Sequence, residues 1–170
     1  SGKTRVITHK IAHLIDSGVA PEAIGAITFT NKAAQEMADR LERLVKLGAD
    51  RKPTVCTFHS LGMQILRRDG DRLGLKRSFS ILDSDDAAGI LTGALATTDR
   101  KLIRAAQQRI SLWKNALLDP DAAAASATRE LEQTIARVWR SYDATLKAYQ
   151  AVDFDDLIVK PLALLKDHPE

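Results

Sequence analysis

Two short runs of β-forming residues, Ile24 to Phe29 and Thr54 to Phe58, alternate with two helical patterns in the opening third of this chain. That order constrains the fold more than any other feature. Thr4 to Asp16 reads as a helix with Val6, Ile7, Ile11, Leu14 and Ile15 on its apolar side, stopped by Gly18. Ala33 to Leu47 reads as a second helix, closed by Gly48. Pro21 and Pro53 stand just ahead of the two β-prone runs. Helix–strand–helix–strand with short connections predicts an α/β unit, a parallel sheet covered by helices. Such sheets bind ligands beyond the C-terminal ends of their strands. A further strand is expected ahead of Ser1.

After about residue 62 the strand signals thin to one candidate, Phe79 to Leu82. Asp83 with Asp86 marks a capped helix start, since an acid three positions on ties down free amides. Helices are expected over Ser84–Leu95 and Asp99–Asn115, and another from Asp119-Pro120. The longest is expected from Arg129 to about Ala151, capped by Thr128, with a stripe of Leu131, Ile135, Val138, Tyr142, Leu146 and Tyr149. A last helix is expected after Asp153. The domains expected are therefore 1–62, α/β, and 63–170, all-helical, with the last helix from about 153 returning to the first domain.

Composition narrows the class. Of 170 residues, 45% are hydrophobic and 28% charged, which suits a globular protein. No apolar run approaches the ~20 residues that span a membrane. Cys56 is the single cysteine, so an internal disulfide is excluded and a cysteine metal site is disfavoured. A cytoplasmic location is expected. The net charge of +3 is unevenly spread: residues 1–77 carry 14 Lys/Arg against 8 Asp/Glu, a net of +6, and residues 78–170 carry 11 against 14, a net of −3. Any anion-binding surface is thus expected in the first part.

The chain opens Ser1-Gly2-Lys3-Thr4, the last four positions of the phosphate-binding pattern G-x-x-x-x-G-K-[ST]. Gly2 admits phosphate without a Cβ clash, Lys3 supplies a cation, and Thr4 offers a hydroxyl to Mg²⁺. A helix starting there adds free N–H groups and the positive end of its dipole. With no initiator Met, the chain is expected to be a piece of a longer protein that begins inside this loop. Thr28-Phe29-Thr30-Asn31-Lys32 and Thr57-Phe58-His59 sit where the two strands should end. Hydroxyls, amide and lysine suit phosphate or sugar, and the rings suit base stacking. The alternative reading is a pair of capped helices with Phe29 and Phe58 in the core.

These three segments, in this order and spacing, resemble motifs I, Ia and Ic of the UvrD/Rep-type superfamily 1 DNA helicases. Asp153-Phe154-Asp155-Asp156-Leu157 resembles a further motif of that family, as do Trp113-Lys114-Asn115 and the Tyr142-Asp143 region. The resemblance covers essentially the whole chain. It implies a 3′-to-5′ single-stranded DNA translocase and helicase that uses ATP and Mg²⁺, serving replication or repair. Its first RecA-like P-loop domain would be only partly present here, interrupted by a helical insertion. It places Ser1, Gly2, Lys3, Thr4 and Arg5 at the nucleotide, with Lys3 and Thr4 catalytic and Thr4 toward the metal. It places Phe29, Thr30, Asn31, Lys32, Thr57, Phe58 and His59 on the DNA strand. The partners implied are single-stranded DNA and single-strand/duplex junctions, met by a monomer or weak dimer. The acidic pair that holds Mg²⁺ would follow Glu170, so the chain alone is expected to hydrolyse little ATP.

Two other classes compete: a nucleic-acid-binding regulatory module with a degenerate P-loop, and a small kinase. The kinase leaves Thr28 to Met37 unexplained. His9 and His13 lack the glutamate of a zinc-protease helix. Asp153, Asp155 and Asp156 read as a helix start favoured by the dipole. Trp113 and Trp139 read as helical core, and Arg67, Arg68, Arg72, Lys76 and Arg77 as a solvated or phosphate-facing basic face.

Overall fold

The computed structural model describes residues 2–45 and 51–168. The chain divides into two compact units, Ser1–Leu61 and Gly62–Glu170. It is mixed α/β and mostly helical, with short parallel strand pairs.

In the first unit, α1 (Gly2–Asp16) packs on α2 (Asn31–Leu44), and β1 (Gly25–Thr28) pairs in parallel with β2 (Thr54–Thr57). The register sets Gly25 opposite Thr54 and Thr28 opposite Thr57, so both strands finish level. Ile11, Ile24, Ala26, Met37 and Leu41 form the core. The buried side of α1 differs from the expected one. Val6 and Ile7 are 70% and 47% exposed, and the stripe runs through Thr8, Ile11 and Ala12 instead. Thr8 is buried in place of an aliphatic residue because its hydroxyl donates back to the Thr4 and Arg5 carbonyls, at 3.1 and 2.9 Å. The start of α2 moves two residues back from Ala33, since Thr30 caps it by accepting the Ala33 N–H. The expected ending at Leu47 and Gly48 lies outside the described residues.

Phe58 does not end a strand but opens α3 (Phe58–Asp69), a helix without counterpart in the sequence reading. The second unit is not all-helical. β3 (Ser80–Ile81) pairs in parallel with β4 (Ala151–Val152), residues expected to continue the longest helix or follow it. Between these strands run α4 (Ser84–Leu95), α5 (Arg100–Asn115), α6 (Pro120–Ser126) and α7 (Glu130–Ala148). The Asp83 capping box is present on α4, with its side chain accepting from the Asp85 and Asp86 amides. Asp99 and Asp119 cap α5 and α6. Helix α7 ends early because Gln150 turns left-handed at φ 51 and hands the chain to β4. Its N-cap is Arg129, not Thr128, with no side-chain cap bond. Ile135, Val138, Tyr142 and Leu146 are buried as the stripe predicts, but Leu131 and Tyr149 are 49% and 68% exposed. Trp113 and Trp139 stack within this core at 5.8 Å.

The last helix, α8 (Asp156–Asp167), packs on α5 and on the short turn Gly70–Leu73. It contains Pro161, which has no N–H to give the Leu157 carbonyl one turn earlier. That carbonyl faces Gly62, where an added Cβ would stand 1.7 Å from the oxygen. No helix among the described residues is long and apolar enough to cross a membrane.

Candidate nucleotide and single-strand sites

Two of the sequence-predicted segments are brought together by strand register. Because Thr28 and Thr57 are paired, the residues that follow them leave the sheet at one edge. Phe29 is 93% exposed and Phe58 49% exposed, with ring centroids 5.9 Å apart and planes tilted by 52°. The core reading of both rings is therefore overturned. A ring left almost wholly in water loses about 2 kcal/mol of available burial energy, so something other than folding accounts for its position.

The hydroxyls around the rings are differently employed. Thr28 Oγ1 donates to the Thr30 carbonyl at 3.0 Å, and Thr30 Oγ1 is committed to the cap of α2. Thr57 is buried at 6% exposure, and its hydroxyl lies 2.9 Å from Ser60 Oγ while accepting the Ser60 N–H. Thr57 thus holds the start of α3 in place and does not offer its side chain outward. Ser60, which closes this cap, had been given no role from the sequence; a hydroxyl three residues after a threonine at a strand end is the signal for it. Asn31, Lys32 and His59 are exposed.

Gly2, Lys3, Thr4 and Arg5 form the first turn of α1, with Ser1 outside the described residues. Lys3 and Arg5 are exposed, and Thr4 is half-buried. The first turn of α1 holds no acidic residue, nor do those of α2 and α3. Their positive dipole ends thus meet no carboxylate from their own first turns. Nothing lies within 4 Å of a Cβ built on Gly2. A cation, a hydroxyl and helix-start amides are the kinds of group that a polyphosphate takes.

A separate polar cluster lies inside the second unit. Lys114, only 3% exposed, donates to Asp153 Oδ2 at 2.6 Å and Asp156 Oδ1 at 3.0 Å. Tyr142 donates its hydroxyl to Asp153 Oδ2 at 2.9 Å, and the Asp156 N–H donates to Asp153 Oδ1 at 2.9 Å. Asp153 does stabilise the helix start, as expected, but it also balances a buried lysine. Burial alone would lower the Lys114 pKa, yet the charges of Asp156 and Asp153 outweigh it and the net shift is upward. Burial raises Asp156 despite Lys114, and burial with Asp153 raises Tyr142. Sequence reasoning missed this cluster. Its signal was a lysine four residues after Ile110, on the buried stripe of α5. Among the described residues there is no group of three or more His, Cys, Asp and Glu poised to hold a metal.

The family model for the UvrD/REP helicase N-terminal domain matches residues 1–170. The chain is 44% identical to the ATP-dependent DNA helicase Rep of Escherichia coli (strain K12) over 174 residues, all of this chain and 26% of that protein. It is 43% identical to the ATP-dependent DNA helicase PcrA of Bacillus subtilis (strain 168) and 42% identical to PcrA of Leuconostoc citreum, in each case over 175 residues, all of this chain, and 24% and 23% of those proteins. The chain thus spans about a quarter of the length of these relatives. With a match along its full length, the chain belongs to the UvrD/REP helicase N-terminal domain family.

Proposed function

We propose that this chain is part of an ATP-driven motor that moves 3′-to-5′ along single-stranded DNA and opens duplex at single-strand/duplex junctions. The observation that carries the reading is the pair of exposed rings, Phe29 and Phe58, side by side at the shared strand edge. Stacked bases need aromatic faces in water beside donors and cations, and Asn31, Lys32 and His59 flank the rings. Thr30 contributes its backbone and cap, and Thr57 fixes the direction of Phe58 from beneath.

In this reading the first unit is part of a RecA-like P-loop domain. Ser1 to Arg5 bind ATP, with Lys3 on the terminal phosphates and Thr4 toward Mg²⁺. Bound nucleotide supplies the phosphoryl bond whose cleavage drives motion. Lys3 neutralises charge that grows on the phosphate oxygens, and the α1 amides hold them in place. By the same reading the chain alone hydrolyses little ATP, because such motors draw the metal-holding acidic pair from another segment. The names of the relatives, each an ATP-dependent DNA helicase, support this reading.

The test uses the full-length protein that contains this chain. Lys3→Ala should abolish strand-stimulated ATP hydrolysis while the melting temperature holds; retained hydrolysis would remove Lys3 from the phosphates. Phe58→Ala should weaken single-strand affinity by about 1–3 kcal/mol, the worth of one base stack. Unchanged affinity in a titration with labelled oligonucleotide would take Phe58 off the strand.

A further inference from the structure

The second unit contains two separate apolar cores. Ile110, Trp113, Ile135, Tyr142 and Leu146 belong to the core of the α4–α7 lobe. Leu66, Phe79, Val152, Leu157 and Leu164 belong to another, built from α3, α8 and the chain around β3. The β3–β4 pair feeds both. Ala151 is buried in the first core and Val152 in the second, as alternation along a strand requires. Leu82 likewise packs against the first core and Ile81 against the second. This joint pairs only Ser80 with Ala151 and Ile81 with Val152. Two strands so short resist bending weakly by themselves.

The buried ionic cluster spans the same two cores beside the joint. Lys114 follows Trp113 on α5 and Tyr142 lies on α7, both on the lobe side. Asp153 and Asp156 stand between Val152 and Leu157, on the other side. One ammonium donates to both carboxylates, at 2.6 and 3.0 Å, and the Tyr142 hydroxyl donates to Asp153 at 2.9 Å. Asn115 Nδ2 adds a bond to Asp155 Oδ1 at 2.9 Å. Apolar contact has no direction and tolerates sliding, whereas charged bonds to oxygens three residues apart fix an angle. On its other flank the turn faces an open cavity of about 660 Å³, bounded by Leu82, Ala87, Leu112, Phe154 and Asp155. Packing therefore does not hold the turn on that flank. Asp156 Oδ2 is buried and lacks a hydrogen-bond partner among the described residues. Stability alone is a poor account of such a cluster, since apolar residues of equal volume often stabilise a fold as well or better.

We infer that Lys114 is a latch: through Asp153 and Asp156 it fixes the α4–α7 lobe to the turn that leads into α8, and the β3–β4 pair is the hinge it keeps shut. The inference is independent of the motor reading, and its test needs neither nucleotide nor DNA.

The experiment is hydrogen exchange, read by mass spectrometry, on the full-length protein that contains this chain. Two sets of amides are compared. The joint set holds Ser80, Leu82 and Asp156, which donate to the Gln150 carbonyl, the Val152 carbonyl and the Asp153 carboxylate. The lobe set is the middle of α7, from Ile135 to Leu146. Lys114→Met should speed exchange in the joint set about tenfold or more and leave the lobe set within about twofold. That variant leaves two buried carboxylates facing each other, so Lys114→Met with Asp153→Asn and Asp156→Asn is measured beside it. Asp153→Asn keeps a carbonyl oxygen for the residue-156 amide. The uncharged variant should show the same fast joint, because the ties are gone along with the repulsion. Tyr142→Phe, which removes one bond to Asp153, should act in the same direction but less. A triple variant whose joint is protected as in wild type overturns the inference, since repulsion alone would then account for the single variant. Equal loss of protection in both sets overturns it too, and would make Lys114 a part of the lobe core instead of a latch on it.

Discussion

Phe29 is the residue whose place is least explained by folding. At 93% exposure it contributes almost nothing to the core, and among the described residues its ring contact is Phe58. Phe29→Ala should therefore leave stability within about 0.5 kcal/mol in a denaturant titration, as for other surface changes. A loss of several times that would mean the ring is structural. The sequence could place Phe29 at a strand end but could not say which way it points. A strand residue alternates between faces, and one past the last ladder pair escapes that rule. The helix start around Lys3, by contrast, was legible, because the Gly-Lys-Thr run is followed at once by a helical apolar period. Lys114 was not: its partners lie 39 and 42 residues away, and no local periodicity records such a pairing.

At the element scale, α3 and α8 meet closely where Gly62 lies against the Leu157 carbonyl. Pro161 leaves the Leu157 carbonyl without its usual helical donor, and Gly62 lets that oxygen approach the neighbouring backbone. A Cα–H contact with the oxygen can recover part of the lost bond. Gly62→Ala should force the helices apart and cost about 2–3 kcal/mol or more in thermal or chemical unfolding. Gly89→Ala in α4 meets nothing within 4 Å and should be neutral or stabilising by up to about 1 kcal/mol. If both changes behaved alike, the crossing would not be the cause. Helix limits were most legible where side chains cap them: Ser84–Leu95 begins and ends as expected, behind the Asp83 box. They were least legible where distant pairing intervenes. Ala151 continues a helical period locally, but it stands opposite Ser80 in a strand, where the Ser80 N–H donates to the Gln150 carbonyl.

For the whole molecule, the buried ion cluster links stability to pH. The folded pKa of Lys114 lies above the ordinary 10.5, so the protonated lysine favours the fold. That contribution is complete below 10.5 and is lost as pH rises through the higher folded value. Asp156 is raised above 3.8, so its contribution is present below 3.8 and lost as pH climbs through its folded value, offsetting part of the lysine's benefit near neutrality. Stability should therefore fall more steeply above about pH 10.5 in wild type than in a variant carrying Lys114→Met, Asp153→Asn and Asp156→Asn. Parallel denaturation curves for the two proteins would show that the cluster does not govern alkaline unfolding.

The parallel pairing of Ser80–Ile81 with Ala151–Val152 has one more consequence. The chain departs into α4 through α7 and comes back to the spot it left, about seventy residues later. Evolution can thus lengthen, trim or replace that four-helix excursion while both of its attachment points stay put, much as a room can be rebuilt behind an unchanged doorway.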